Sequence, residues 1–158
     1  MDARAEKLAG RLLAAHTELM TYAQALTPTE AAAPSPNPGW SVQDTLAHLA
    51  SAELGHCSVA ENLLSATPTI GPDGFDLDAF NAAQVAARRG LALAAVLSEL
   101  DANHAATLAL LQRIEPEQWD IAGYHPGGFD TTVEGVFRVI AIHKRRHMKE
   151  LVTPDDKL

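Results

Sequence analysis

Thr131-Thr132-Val133-Glu134-Gly135-Val136-Phe137-Arg138-Val139-Ile140-Ala141-Ile142-His143-Lys144-Arg145-Arg146-His147-Met148-Lys149-Glu150-Leu151-Val152 is the stretch on which the reading of this chain turns. Val133, Val136 with Phe137, Ile140 and Leu151 recur at helical spacing and mark one apolar seam. Thr131 with Glu134 reads as a capping box that opens the helix, and Pro154 closes it. His143 and His147 fall on the seam itself. They lie four apart, so both rings project from one face. Two imidazoles on a core-facing stripe are costly to bury unpaired. A shared metal ion would remove that cost, and His-x-x-x-His is a bidentate helical spacing. The plainer reading is a pair at a solvated bundle end, hydrogen-bonded to its neighbours.

The same period runs through three further segments. Leu8, Leu12, Ala15, Leu19, Tyr22 and Leu26 define a first helix from about Asp2 to Leu26. It stops at Thr27-Pro28, and Pro28, Pro34, Pro36, Pro38 and Gly39 predict a rigid loop. Ser41 caps a second helix that runs to about Ala66, with Asp44 favouring its positive end. Thr67-Pro68 to Gly74 breaks the pattern again. A third helical stretch starts near Asp76, is interrupted at Gly90, and resumes from Leu91 to about Ile114. Pro116, Gly123, Pro126, Gly127 and Gly128 predict a third loop before the last helix. Four long amphipathic helices and no convincing strand imply an all-α four-helix bundle.

Composition agrees. The 158 residues suit one domain, 1–158, and the 47% hydrophobic content is rich in alanine, while aromatics are only 5%. The formal net charge of −8 repels polyphosphates and argues against nucleic acid as a partner. Arg138, Lys144, Arg145, Arg146 and Lys149 nevertheless gather in one late segment, which reads either as a local anion site or as a solvated helix face. Cys57 is the lone cysteine, so no internal disulfide forms, which fits a reducing cytoplasm; it sits on an apolar stripe as a small core residue. No secretory signal, membrane span or internal repeat is evident.

A third ligand must come from another helix. The apolar centre of the second helix passes through Val42, Leu46, Leu49, Cys57, Ala60 and Leu64. Glu53 and His56 lie inside that stripe, whereas His48 lies at its flank. Periodicity alone therefore nominates Glu53 or His56 before His48. Glu53 could orient a water or a ligand imidazole. Tyr124 and His125 are further candidates for a pocket at the mouth of the site.

Gly39-Trp40-Ser41-Val42-Gln43-Asp44-Thr45-Leu46-Ala47-His48-Leu49 resembles the Gly-Trp-Ser/Thr-Val-x-x-x-x-x-His-Leu motif of the DinB/YfiT-like family. Ile142-His143-Lys144-Arg145-Arg146-His147 resembles that family's His-x-x-x-His helix, and Tyr124-His125-Pro126 the loop before it. The resemblance spans roughly Gly39 to Leu151, with order and spacing kept. It implies a metal held by His48, His143 and His147. It also implies kinship with thiol-dependent S-transferases and with the N-terminal domains of mycothiol-dependent maleylpyruvate isomerase.

These ligands constrain topology. At ~1.5 Å per residue, His48 lies about 10 Å from the start of the second helix, and the other two lie roughly 8–14 Å from the end of the last. They share a level only if those helices run antiparallel. That requires a crossover between helices 2 and 3, within Thr67 to Gly90, and an up-down-down-up order, which the resembling family also has. Three neutral imidazoles leave coordination open, which suits zinc or nickel, with iron or manganese as alternatives, and lowers the pKa of a bound water or thiol. The expected function is a metal-dependent transferase or isomerase joining a low-molecular-weight thiol to a small electrophile. The alternatives are a metal-dependent hydrolase and a non-catalytic metal- or small-molecule-binding stress module. An open pocket beside the metal would favour an enzyme, and a closed apolar site would favour the module. Alanine-rich faces and the family habit suggest a homodimer.

Overall fold

Asp2 starts helix α1, Ala3–Gln24, by accepting the Ala5 amide at 2.7 Å through one carboxylate oxygen. Its other oxygen accepts the Trp119 indole N–H at 2.7 Å, which ties the chain start to a fully buried ring. The computed structural model describes residues 2–67 and 74–153. The proline-rich segment is more ordered than a loop. Thr27 and Glu30 form a capping box around a short helix α2, Pro28–Ala32, because proline at the first helical position lacks only an N–H that would be unpaired anyway. Pro34 then bridges to Ser41.

Ser41 caps helix α3, Val42–Leu64, as the sequence predicts, and the Asp44 side chain in turn accepts the Ser41 amide, which completes a capping box. Asp76 caps α4, Leu77–Ala86, and α5 follows as Leu93–Leu111. The break between them falls at Gly90, as predicted. Part of the expected crossover, residues 68–73, lies outside the described residues.

The predicted third loop is partly regular. A 3-10 turn, Pro116–Gln118, leads into strands β1, Ala122–His125, and β2, Phe129–Thr132, which pair antiparallel with His125 opposite Phe129. Gly128, at φ +96°, makes the tight turn, and its amide donates to the His125 carbonyl. The last helix, α6, Val133–Val152, is capped by Thr132 and not by Thr131. Thr131 is spent in the hairpin, paired with Gly123, so the expected Thr131–Glu134 box does not form.

The core fixes the helix directions. One apolar cluster joins Ala5, Leu8 and Leu12 at the start of α1 to Cys57–Leu63 at the end of α3, Leu110 and Leu111 at the end of α5, and Val133–Phe137 at the start of α6. A second joins the opposite ends: Leu19 and Ala23, Val42 and Leu46, Val96 and Leu100, and Leu151. Helices α1 and α6 therefore run one way and α3 and α5 the other. That is the up-down-down-up bundle, with α3 and α6 antiparallel and packed together.

Candidate metal centre and its cavity

The antiparallel pair brings the seventh residue of α3 level with the later half of α6. The Nε2 atom of His48 lies 3.1 Å from that of His143, which lies 3.1 Å from that of His147. The three offer one ligand atom each within a single small cluster. Periodicity nominated Glu53 or His56, yet His48, at the flank, is the α3 residue that joins His143 and His147 in the cluster. The Trp40 ring backs His48 at 5.1 Å between centroids.

The donor set fits a divalent ion. Glu150 stands 2.8 Å from His147 Nδ1. A carboxylate only accepts, so the proton sits on Nδ1, and Nε2 turns a lone pair into the cluster. Burial holds the rings neutral. It pushes His48 down to about 4 and His143 to about 2, with neighbouring imidazoles adding to both. Burial also lowers His147, against the opposing pull of Glu150. Nitrogen separations of 3.1 Å are near the ~3.3 Å that tetrahedral ligation at a Zn–N distance of about 2.0–2.1 Å demands.

A cavity of about 570 Å³ opens beside the cluster, lined by His48 and His143 together with His56 and His125. Its remaining walls are largely apolar: Phe75, Leu77 and Phe80 on one side, Val139 and Ile142 on the other. His56 Nδ1 lies 2.8 Å from His125 Nε2, and the Gly127 amide donates to His125 Nδ1 at 2.9 Å. Burial drives His56 down to about 3 and lowers His125. Tyr124 sits opposite Asp130 in the hairpin and is not among the cavity-lining residues described.

Glu53 does not join the cavity. It is 1% exposed, and its Oε2 stands 2.7 Å from Nζ of Lys144, which is also 1% exposed. Thr107 donates to Glu53 Oε1 at 3.1 Å. Lys144 Nζ also reaches His16 Nδ1 at 3.1 Å, and His16 Nε2 meets Asp101 at 2.8 Å. His104 stacks on His16 at 4.0 Å between centroids. Burial alone would raise the Glu53 carboxyl, but His104, whose Nδ1 lies 3.5 Å from Glu53 Oε1, and the Lys144 charge prevail and hold it below its ordinary value. Burial lowers Lys144, with Glu53 opposing.

The basic segment is therefore not a uniformly solvated face, and its members are separately engaged. Lys144 points inward, Arg138 pairs with Glu134, and Arg145 lies 3.8 Å from Glu18. Arg146, 3.2 Å from Glu150, is the member that lines the cavity among the described residues. The sequence did carry a signal for the buried network. His16 falls between Leu12 and Leu19, and His104 between Leu100 and Thr107, each on an apolar helix face.

A helical bundle with three convergent imidazoles at an open cavity defines a class of metal-site bundles. The family model of the DinB superfamily matches residues 11–151, and the chain belongs to that family. No curated protein matches the chain. Among solved structures it is similar to YfiT from Bacillus subtilis, described as a probable metal-dependent hydrolase with an unusual four-helix bundle topology. The TM-score is 0.78 at 21% identity, covering 96% of this chain and 86% of YfiT. It is also similar to a mycothiol-dependent maleylpyruvate isomerase (TM-score 0.80, 14% identity, 96% of this chain and 63% of the isomerase). A third likeness is the colibactin self-resistance protein ClbS in complex with double-stranded DNA (TM-score 0.76, 15% identity, 98% and 96%). At these identities the likenesses speak for the fold.

Proposed function

We propose that this chain is a divalent-metal-dependent enzyme in which His48, His143 and His147 hold one ion. The preferred reaction joins a low-molecular-weight thiol to a small electrophile, as transfer or isomerisation. The observation that carries the reading is the convergence of three Nε2 atoms at a cavity that two of the same rings line. An open cavity favours turnover over a closed binding module. When bound, zinc or nickel, or alternatively iron or manganese, would lower the pKa of a thiol or of water.

The chain's own residues supply the rest. Glu150 orients His147, the neutral rings keep their lone pairs free, and the apolar walls shed water from the reacting groups. Arg146 takes the role of holding an acidic thiol, in place of Lys144 and Arg145. The hydrolase reading is the second, favoured by the likeness to YfiT. DNA binding by ClbS is not carried over, because this chain bears a net charge of −8. Among the described residues no helix is long and apolar enough to cross a membrane. A cytoplasmic location and a homodimer complete the proposal.

Elemental analysis of purified protein should find about one divalent ion per chain, lost in His143→Ala and His147→Ala with helicity kept. Cobalt-loaded protein should then show a sulfur-to-metal charge-transfer band when a small thiol is added, and Arg146→Ala should weaken an acidic thiol more than a neutral one. Undiminished metal in both histidine variants rules out the site. A cobalt spectrum that no thiol perturbs, with turnover of simple esters, transfers the assignment to hydrolysis.

A further inference from the structure

His56 lies eight residues after His48 on α3, about 12 Å further along the axis. It does not belong to the three-nitrogen cluster. The His143 ring stands between the two, with centroids 5.0 Å from His48 and 5.6 Å from His56, nearly perpendicular to both. All three rings nonetheless line the same cavity.

The protons on His56 and His125 are fixed by a chain of obligatory roles. The Gly127 amide can only donate, so His125 Nδ1 is the acceptor and His125 carries its proton on Nε2. That Nε2–H points at His56 Nδ1, 2.8 Å away, which must then be a lone pair. The His56 proton is therefore on Nε2. That atom is buried and has no hydrogen-bond partner among the described residues. A buried N–H without an acceptor is rare in folded proteins and asks for one.

The chain of roles is also held mechanically. His125 stacks on Phe129 at 4.6 Å and 8°. A Cβ on Gly127 would come within 2.9 Å of His125 Nδ1, so glycine is needed for the amide to approach the ring so closely.

We infer that His56 is a fixed Nε2–H donor to a ligand in this cavity, a small molecule with a carboxylate or carbonyl head and an apolar tail. The head accepts from His56 at the histidine end, and the tail lies along Phe75, Phe80 and Ile142. This deepens the metal-site reading, since the head would lie where His48 and His143 also line the wall.

Two measurements test it. Long-range proton–nitrogen NMR on the whole protein, metal-free and zinc-loaded, should show His56 and His125 each protonated at Nε2 alone. In His125→Phe, the His56 signal should move toward a mixture of tautomers. Isothermal titration of zinc-loaded protein with hexanoate should show binding that weakens about tenfold in His56→Leu, the scale of one charge-assisted hydrogen bond. His56→Gln, which keeps an N–H near the same place, should bind about as wild type. Circular dichroism and metal content accompany both variants. A proton on His56 Nδ1, equal hexanoate affinity in wild type and His56→Leu, or no hexanoate binding to wild type would each overturn the proposal. Failure to take up zinc would instead count against the metal reading, while the tautomer spectrum of the metal-free protein still decides the His56 donor.

Discussion

At His147 the ring nitrogen facing away from the cluster meets a carboxylate 2.8 Å off, on the next turn of the same helix. The contact does two things. It selects the tautomer that leaves Nε2 unprotonated, and it stops the ring from turning about its own axis. Among the described residues His48 has no such help, since its Nδ1 is buried without a partner there and Trp40 packs against the ring. Glu150→Ala should therefore lower metal affinity about 10-fold to 100-fold, the usual cost of losing a partner that orients a ligand. Competition against a chromophoric chelator reads this directly. Affinity equal to wild type would mean that packing alone orients His147. Trp40→Leu, in the same assay, asks how far packing orients His48.

Helix α6 carries two chemistries on adjoining faces. His143 and His147 turn toward the three-nitrogen cluster, while Lys144 joins the buried face of Phe137, Ile140, Ala141 and Leu151 and reaches Glu53 on α3. Removing one partner of a buried ion pair leaves the other uncompensated. Lys144→Met should destabilise the fold by about 3–5 kcal/mol, and Lys144→Met with Glu53→Leu should recover much of it. Urea unfolding of the single and double variants measures both, and a double variant no more stable than the single would show that the pair itself supplies the stability. The sequence made some of this legible and hid the rest. The apolar seam of α6 displayed both histidines, because the 3.6 period places them with Ile140 and Leu151. Lys144 was hidden because an ammonium is ordinarily solvent-facing, and only a partner on another helix reverses that. His48 was hidden by its flank position and surfaced through a motif instead. The hairpin was hidden because four-residue strands are too short to display a period of two, and its Gly-Gly turn reads equally well as loop.

Across the whole molecule, a polar layer divides the apolar interior. Each long helix passes from one core cluster to the other through it: His16 between Ala15 and Leu19, Glu53 between Ala50 and Cys57, His104 between Leu100 and Leu110, and Lys144 with His147 between Ala141 and Leu151. The proposed metal ligands His48, His143 and His147 sit in or beside this layer, so its protonation is coupled to the stability of the bundle. His48, His56 and His143 are pushed down from 6.5 to about 4, 3 and 2, chiefly by burial. Below pH 6.5 the unfolded chain takes up protons on these rings that the folded chain refuses, so unfolding gains. Their contribution is whole above pH 6.5 and is lost as pH falls toward 4 and below, at about 1.4 kcal/mol per pH unit for each ring. The three rings therefore pull in one direction, and the metal-free protein should lose helix content as pH falls from about 6 toward 4. His56→Gln removes one of the three protons and should make the acid transition shallower. An ion held by the three ligands requires them deprotonated, so metal loading should move the midpoint to lower pH and steepen it. Acid titration followed by circular dichroism, on metal-free, zinc-loaded and His56→Gln protein, separates these effects. Helix content in the metal-free protein that stays flat from pH 7 to 4 would show that the layer does not set acid stability.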